Sequence, residues 1–354
     1  MSRFIDERFD ELKAYVPGEQ PEPGKYIKLN TNEFPYPPAP NVASVAEAAV
    51  SNMNLYSDLS CTLLKQSFKK VFGFDKENVV FTNGSDEALY LCFLAFCGKN
   101  TGAAFADITY GFYSVYADLC CIEKNIIPLG EAFEINPEDY YALNKTIFIA
   151  NPNAPTGLRL TNDQIEAILI NNPNNIVVID EAYADFSGNT CVSLVEKYSN
   201  LVVVGTFSKS RGMAGARLGY LISNSGVVAD IEKIKFSINP YNVNSLTQAV
   251  GAAVLDQNEY YAEKVKEICA TRDGFSEKLR EIGFTVIKSD TNFVFAKHPS
   301  FSGAELAELL RQNNILVRHF ANKRIEEYVR ISIGTPQQME RVAEVIYDII
   351  GGVK

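Results

Sequence analysis

LVVVGTFSKSRGMAG, Leu201 to Gly215, opens as an apolar β-branched run and ends in small polar residues, a lysine and two glycines. The run has no polar alternation. A strand that shows one face to water alternates; a strand covered on both faces does not. Three more runs share this character: VVF at 79–81, TIFIA at 146–150 and IVVID at 176–180. Helix-like stretches lie between several of them, for example TNDQIEAILI at 161–170. This alternation of buried strands and helices predicts an α/β fold built on a large, doubly wound, mostly parallel sheet.

The rest of the chain divides around that layer. The first 30 residues, with VPGEQPEPGK, are rich in Pro and Gly and read as an N-terminal arm. Residues 31–245 form the large α/β domain. Residues 246–354 form a smaller α+β domain, entered through a long helical connector from Ser245 to Gly283. It holds TNFVFAK (291–297), ILVRHF (315–320) and YVRISIG (328–334), with the helix SGAELAELLRQN between the first two. The last helix opens on Thr335, with Pro336 next and Gln338 three residues on, a capping-box spacing. Val342, Val345, Ile346, Ile349 and Ile350 make its apolar stripe.

Composition excludes several classes of function. The 354 residues carry 33 basic and 43 acidic side chains, a net charge of −10, which argues against nucleic acid or an anionic membrane as the main partner. No apolar run approaches the ~20 residues of a membrane span. The opening MSRFIDERFDELK is charged and amphipathic, unlike a secretory leader. Seven cysteines without metal-like spacing read as reduced core thiols of a cytoplasmic protein. Two histidines, His298 and His319, leave little for a metal site or a Ser-His-Asp triad, so no metal is expected.

Four segments offer chemistry at strand ends, where open α/β sheets bind ligands. In FTNGSDEAL the turn at Gly84 and the helix start at Ser85 and Asp86 present free N–H groups suited to an anion, and equally make an ordinary capped helix. Asp180 ends the buried strand of VIDEAYADF. A carboxylate there needs a partner; a protonated ring nitrogen provides one, and Tyr183 can reach a phenolic oxygen of the same ring. Asp180 is as well explained as a helix N-cap. NPNAPTG (151–157) makes a rigid loop after TIFIA, either a ligand support or a stiff connection. Lys209 follows LVVVG, with Ser208 and Arg217 nearby. A lysine among apolar and cationic groups becomes a nucleophile toward aldehydes, and a hydroxyl with a guanidinium suits phosphate. Aldehyde, ring nitrogen, phenolic oxygen and phosphate occur together in pyridoxal 5′-phosphate.

The ordered set GSDEAL, NPNAPTG, DEAYADF and SKSRGMAGARLGY resembles the fold type I aminotransferases that use pyridoxal phosphate. YVPGEQP (15–21), LNTNEFPYPP (29–38), NPYNVNSLTQ (239–248) and ILVRHF…YVRISIGT (315–335) are similar to pieces of the histidinol-phosphate aminotransferase family, and the likeness covers nearly the whole chain. It implies that Lys209 holds the cofactor covalently and moves the proton at the substrate's Cα. It implies that Asp180 keeps the pyridine nitrogen protonated, that Tyr183 binds the phenolic oxygen and that Tyr110 stacks on the ring. Gly84, Ser85, Asp86, Ser208 and Arg217 would surround the phosphate, with Tyr56 reaching it from the other subunit of a homodimer. Arg318 and Arg330 would take the anionic ends of histidinol phosphate and glutamate in turn, with Tyr15 and Asn32 closing the pocket. Read without the resemblance, these two arginines are surface strand residues in ion pairs.

One position departs from the family pattern. An asparagine usually stands directly before Pro-Thr-Gly, where it meets the phenolic oxygen; here it is Ala154, so Asn153 or Asn151 takes that role, or Tyr183 carries it with water. The implied reaction exchanges the amino group of L-histidinol phosphate with 2-oxoglutarate. An aromatic amino-acid aminotransferase and a threonine-phosphate decarboxylase would share the fold and the lysine, and a silent binding or regulatory protein would share the fold alone.

Overall fold

TIFIA, IVVID and LVVVG pair as neighbours in a seven-stranded sheet in the computed structural model, which describes residues 4–351, and VVF joins the same sheet one strand away. A short strand β1 (Ile27–Lys28) comes first, followed by helices α1 (Val42–Val50) and α2 (Thr62–Phe72). The large sheet then uses β2 (Val79–Thr82), β3 (Ala103–Ala106), β4 (Lys124–Ile127), β5 (Thr146–Ala150), β6 (Val177–Asp180), β7 (Leu201–Thr206) and β8 (Gly219–Ile222). Between and after them come α3 (Gly84–Phe96), α4 (Phe112–Leu119), α5 (Asn162–Ile170), α6 (Ala184–Ser187), α7 (Ser225–Ile238) and α8 (Ser245–Asp256). The spatial order is β2-β8-β7-β6-β5-β3-β4. Five strands from β7 to β4 run parallel, and β8 is antiparallel to both β2 and β7.

Burial explains the missing alternation. Ile147, Ile149, Val177, Ile179, Leu201 and Val203 face a core shared with α1, α2, α5 and α8. Phe148, Val178, Val202 and Val204 face a second core with α3, α4 and α7. Both side-chain rows are apolar because helices cover both faces. Three strands of this sheet lie outside the sequence reading. AAFA is short and small-residued, KNII is half polar, and GYLI enters by a turn instead of a helix.

The second layer is a four-stranded antiparallel sheet, β12-β13-β10-β9, made of β9 (Thr285–Ile287), β10 (Phe293–Lys297), β12 (Arg318–His319) and β13 (Val329–Ser332). It packs with α9 (Asn258–Glu281), α10 (Gly303–Gln312) and α11 (Pro336–Gly351). The expected capping arrangement forms at α11, where the Thr335 and Gln338 side chains exchange backbone bonds. Ser302 and Glu305 cap α10 in the same reciprocal way.

Two boundaries differ from the sequence reading. The connector is two helices meeting at Gln257, and the first belongs with the large domain: Ala252, Val254 and Leu255 of α8 share a core with Leu64 and Phe68 of α2. The change of core falls within α9, where Tyr261 packs with the large-domain cluster and Val265 and Ile268 with the small-domain one. The arm, of which residues 1–3 lie outside the described residues, also ends earlier than 30. β1 pairs in parallel with β11 (Ile315–Leu316), and Leu29 is buried in the small-domain core. Helical periodicity shows an apolar stripe but not the surface that covers it, and a two-residue strand has no periodicity to show its distant partner, so neither boundary is visible in sequence. All seven cysteines are free; Cys61, Cys92 and Cys191 are buried, whereas Cys121 is exposed, contrary to a uniform core reading.

Gly219 fixes how β8 passes under the start of α3. A Cβ there would lie 2.4 Å from the carbonyl carbon of Gly84 and 2.4 Å from the amide nitrogen of Ser85. Both are backbone atoms and cannot step aside. Gly219→Ala is expected to destabilise the protein by about 2–3 kcal/mol, read from denaturant unfolding.

Candidate active site

The segments after β2, β3, β5, β6 and β7 meet beyond the carboxyl ends of these strands, around a cavity of about 130 Å³. Lys209, Asp180, Tyr183, Tyr110, Ser85, Asp86, Ser208 and Arg217 all line it, as do Thr206 and Ala154. The sequence reading thus finds most of the wall from four separate segments.

Asp180 sits at the last position of β6 and is only 5% exposed. Its Oδ2 accepts from Tyr113 Oη at 2.9 Å, and its Oδ1 accepts from the Ala182 amide at 3.1 Å. Burial raises its pKa from 3.8 to about 6, against the two hydrogen bonds and the nearby Lys209 charge. Tyr113 is absent from the sequence reading. Its signal is the second tyrosine of ITYGFY, one helical turn after Tyr110, beneath a carboxylate that needs a donor. Lys209 Nζ donates to the Thr31 carbonyl at 3.1 Å and lies 5.9 Å from the Tyr183 ring centroid. It forms no salt bridge among the described residues, so its amine is held by one neutral acceptor.

The opposite end of the cavity is built for an anion. α3 begins at Gly84 with φ +78°, and its N-cap residue Asn83 makes no side-chain capping bond. A Cβ on Gly84 would lie 2.5 Å from Arg217 Nη2, so glycine lets the guanidinium rest against the helix start. Arg217 is itself in the left-handed region at φ +55°, with Nη2 2.7 Å from Asp86 Oδ2. Tyr110 Oη donates to the other oxygen, Asp86 Oδ1, at 2.6 Å. The Asp86 carboxylate therefore anchors Arg217 and Tyr110, and only its backbone amide is left for an anion. Ser208 is oriented by Thr206, whose Oγ1 accepts from the Ser208 amide at 3.1 Å. Uncapped amides, a guanidinium and a hydroxyl at one end, with a carboxylate and a lysine farther in, fit the phosphate, ring nitrogen and aldehyde of pyridoxal phosphate.

Arg318 and Arg330 stand directly opposite each other on β12 and β13. Like charges in that register repel, and neither forms a salt bridge among the described residues, against the surface ion-pair alternative. Arg330 donates from Nη2 to the Asn30 carbonyl at 3.1 Å, while its buried Nε has no partner among the described residues. Burial lowers its pKa from the ordinary value; Tyr183 and Tyr15 oppose the shift. Arg318 donates to the carbonyls of Val16 and Pro17 and so holds the arm. Tyr15 stacks on Phe112 at 4.1 Å and lies 6.3 Å from Tyr110.

Several expected residues have other roles in this geometry. The Asn153 side chain donates to the Ile108 carbonyl and Thr156 Oγ1 and accepts from Thr109 Oγ1, and it does not line the cavity. Asn151 is spent on the backbone of Leu160. Neither fills the gap at Ala154. Asn32 does not close a substrate pocket with a free amide: its Nδ2 donates to Tyr183 Oη at 2.8 Å and its Oδ1 accepts from Ser332 Oγ at 2.8 Å. Tyr56 is 83% exposed, stacked on Tyr241 and outside its own chain's cavity. No metal-binding cluster and no helix long and apolar enough to cross a membrane occur among the described residues.

The fold and this set of groups define a transaminase-type site, and the chain belongs to the class I and II aminotransferase family, whose model matches residues 24–346. Within it, the chain is 42% identical to the histidinol-phosphate aminotransferase of Brachyspira hyodysenteriae over 99% of each chain. It is 45% identical to that of Marinomonas sp., over 96% of this chain and 97% of the relative. Its fold is similar to that of the Sinorhizobium meliloti histidinol-phosphate aminotransferase solved in complex with pyridoxal 5′-phosphate, with a TM-score of 0.86, 22% identity and 100% coverage of both chains.

Asp180 has a signature in the cofactor-free protein. Its folded pKa lies above the unfolded value, so its contribution to stability is complete below about pH 4 and lost as pH rises through about 6. Two pKa units correspond to about 3 kcal/mol. Asp180→Asn removes the buried charge. Relative to wild type, the variant is expected to gain about 2–3 kcal/mol between pH 4 and pH 7, measured by denaturant unfolding without cofactor.

Proposed function

We propose that the protein is a pyridoxal-phosphate-dependent aminotransferase that exchanges the amino group of L-histidinol phosphate with 2-oxoglutarate, giving imidazole acetol phosphate and glutamate in L-histidine biosynthesis. The observation that carries this reading is the position of Lys209, Asp180 and Tyr183 in one cavity, with an anion cradle at one end and two arginines without acidic partners beside it. The names of the full-length relatives support the choice of substrate.

Pyridoxal phosphate, when bound, supplies an electron sink for the pair left at the substrate Cα. The first turn of α3, Ser208 and Arg217 hold its phosphate. Asp180 balances a protonated ring nitrogen, and that positive partner offsets the burial that raises the carboxyl's pKa in the free protein. Lys209 Nζ is the nucleophile toward the aldehyde and, as the free amine, the base for the Cα proton. Arg330 and Arg318 give a planar, doubly donating surface that suits the substrate phosphate in one half-reaction and a glutamate carboxylate in the other. Tyr15 and the arm cover that end from water.

The working unit is a homodimer in the cytoplasm. Val50, Met53, Leu55, Tyr56 and Leu63 leave a broad apolar surface around α1 and α2. A second copy covering it would bring Tyr56 to the neighbouring phosphate cradle. In that arrangement, mixing Lys209→Ala chains with Tyr56→Ala chains restores one complete site per mixed dimer. Activity is expected to return to roughly a quarter of wild type after subunit exchange; no recovery would remove Tyr56 from the shared site.

The decisive measurement is the visible absorption of the cofactor-loaded protein before and after L-histidinol phosphate, with no keto acid present. The band of the lysine-bound cofactor is expected to disappear. A band that ignores histidinol phosphate but responds to phenylalanine or phosphothreonine transfers the assignment to the aromatic or decarboxylase reading. Lys209→Ala is expected to lose at least about 10³-fold in turnover while remaining folded. Arg330→Ala is expected to raise KM for glutamate and for histidinol phosphate together, by about 10- to 100-fold; a rise for one substrate only would refute the shared anion site.

A further inference from the structure

Ala154 removes a hydrogen-bond donor that the family pattern places at the cofactor's phenolic oxygen, and the geometry leaves Asn151 and Asn153 turned away. Tyr183 is then the hydroxyl left to serve that oxygen. We propose that Asn32 and Ser332 are positioning residues that fix the direction in which Tyr183 gives its proton, so that one preset donor replaces the missing amide. The proposal rests on the cofactor reading above.

The argument is a count of hydrogens. Ser332 Oγ accepts from the Asn32 backbone amide at 2.9 Å, so its single proton is free to go to Asn32 Oδ1, 2.8 Å away. The hydroxyl makes no other hydrogen bond among the described residues. That proton identifies Oδ1 as the oxygen and turns Nδ2 toward Tyr183 Oη at 2.8 Å. With the amide reversed, the Ser332 hydroxyl would accept twice and its buried proton would have no acceptor, a costly arrangement at a residue 2% exposed. Tyr183 therefore accepts from Asn32, and its own O–H proton is left for the cavity. Accepting one hydrogen bond also polarises the hydroxyl and strengthens the one it donates. The pair is held firmly. Asn32 is 1% exposed at φ +55°, a conformation asparagine tolerates, and Asn292 Nδ2 donates to its carbonyl at 3.1 Å.

The test is the pH midpoint of the visible band of the cofactor-loaded protein. A donor to the phenolic oxygen stabilises its anionic form, so loss of the donor raises the midpoint. Lys209, Asp180, Asp86, Tyr110 and Arg217 line the cavity, Arg330 is near enough to interact with Tyr183, and all stay the same in every variant. Tyr183→Phe is expected to raise the midpoint by about one unit. Ser332→Ala frees the Asn32 amide to reverse and offer Oδ1 to Tyr183, and it is expected to raise the midpoint part of the way. Ser332→Thr, which keeps the hydroxyl, is expected to retain the wild-type value. In the Tyr183→Phe background, Ser332→Ala is expected to add nothing. Asn32→Gly suits the positive φ and gives an independent reading if Ser332→Ala does not fold: the midpoint rises when the Tyr183 hydroxyl is present and stays put in the Tyr183→Phe background. A midpoint unmoved by both Ser332→Ala and Asn32→Gly while Tyr183→Phe shifts overturns the proposal. So does an equal shift with and without the Tyr183 hydroxyl, which would mark a packing effect. A wild-type protein with no visible band overturns the cofactor reading itself, a different result from either.

Discussion

A carboxylate held without water at the end of a parallel strand is the constraint around which this molecule is arranged. Asp180 is nearly inaccessible and costly to ionise where it stands. Tyr113 from α4 and the Ala182 amide satisfy its oxygens but bring no charge. The missing element is a cation, and the surrounding parts make sense as its setting: a lysine just past the neighbouring strand, a tyrosine three residues along, and an anion cradle at the far wall. A group that carries its own positive centre and its own phosphate meets both demands at once.

The second requirement is that segments from distant parts of the chain agree on one small volume. Thr31, just after β1, accepts from Lys209; Asn32 accepts from Ser332 and donates to Tyr183. Arg318 of β12 grips the arm, and Arg330 of β13 grips Asn30. Arm, large sheet and small sheet are joined by polar contacts at the cavity itself. Stability and site geometry are therefore hard to separate here, and the informative variants are those that change one hydrogen-bond direction or one charge while leaving volume nearly unchanged.

Much of this is legible in the sequence, for a physical reason. Strands buried on both faces lose alternation, so LVVVG and TIFIA announce the central sheet, and a strand end that carries Asp180 or Lys209 announces the site. What stays hidden depends on partners. VVF and GYLI are similar to the eye, but only pairing shows β8 running against its neighbours. Tyr113 looks like any core aromatic until Asp180 is seen above it. Asn153 and Asn32 are both polar residues in Pro-rich or Asn-rich loops. One is consumed by the loop it sits in, and the other is aimed at Tyr183; no periodicity distinguishes them. Arg318 and Arg330 lie on separate short strands, and their direct opposition is a fact of register.

The pairing of β1 with β11 joins two segments that are far apart in sequence. Ile27 and Ile315 are neighbours in the finished structure although the whole central sheet lies between them in sequence. The central sheet can assemble from strands close together in sequence, but the smaller domain must recover a strand that precedes that whole sheet. Its closure is a long-range contact of the slow-forming kind. The arm, Thr31 and Asn32 reach their final positions with the pairing of β1 and β11. Thr31, the acceptor that holds Lys209, follows β1 closely, so the contact that closes the smaller domain also brings the lysine's acceptor into place.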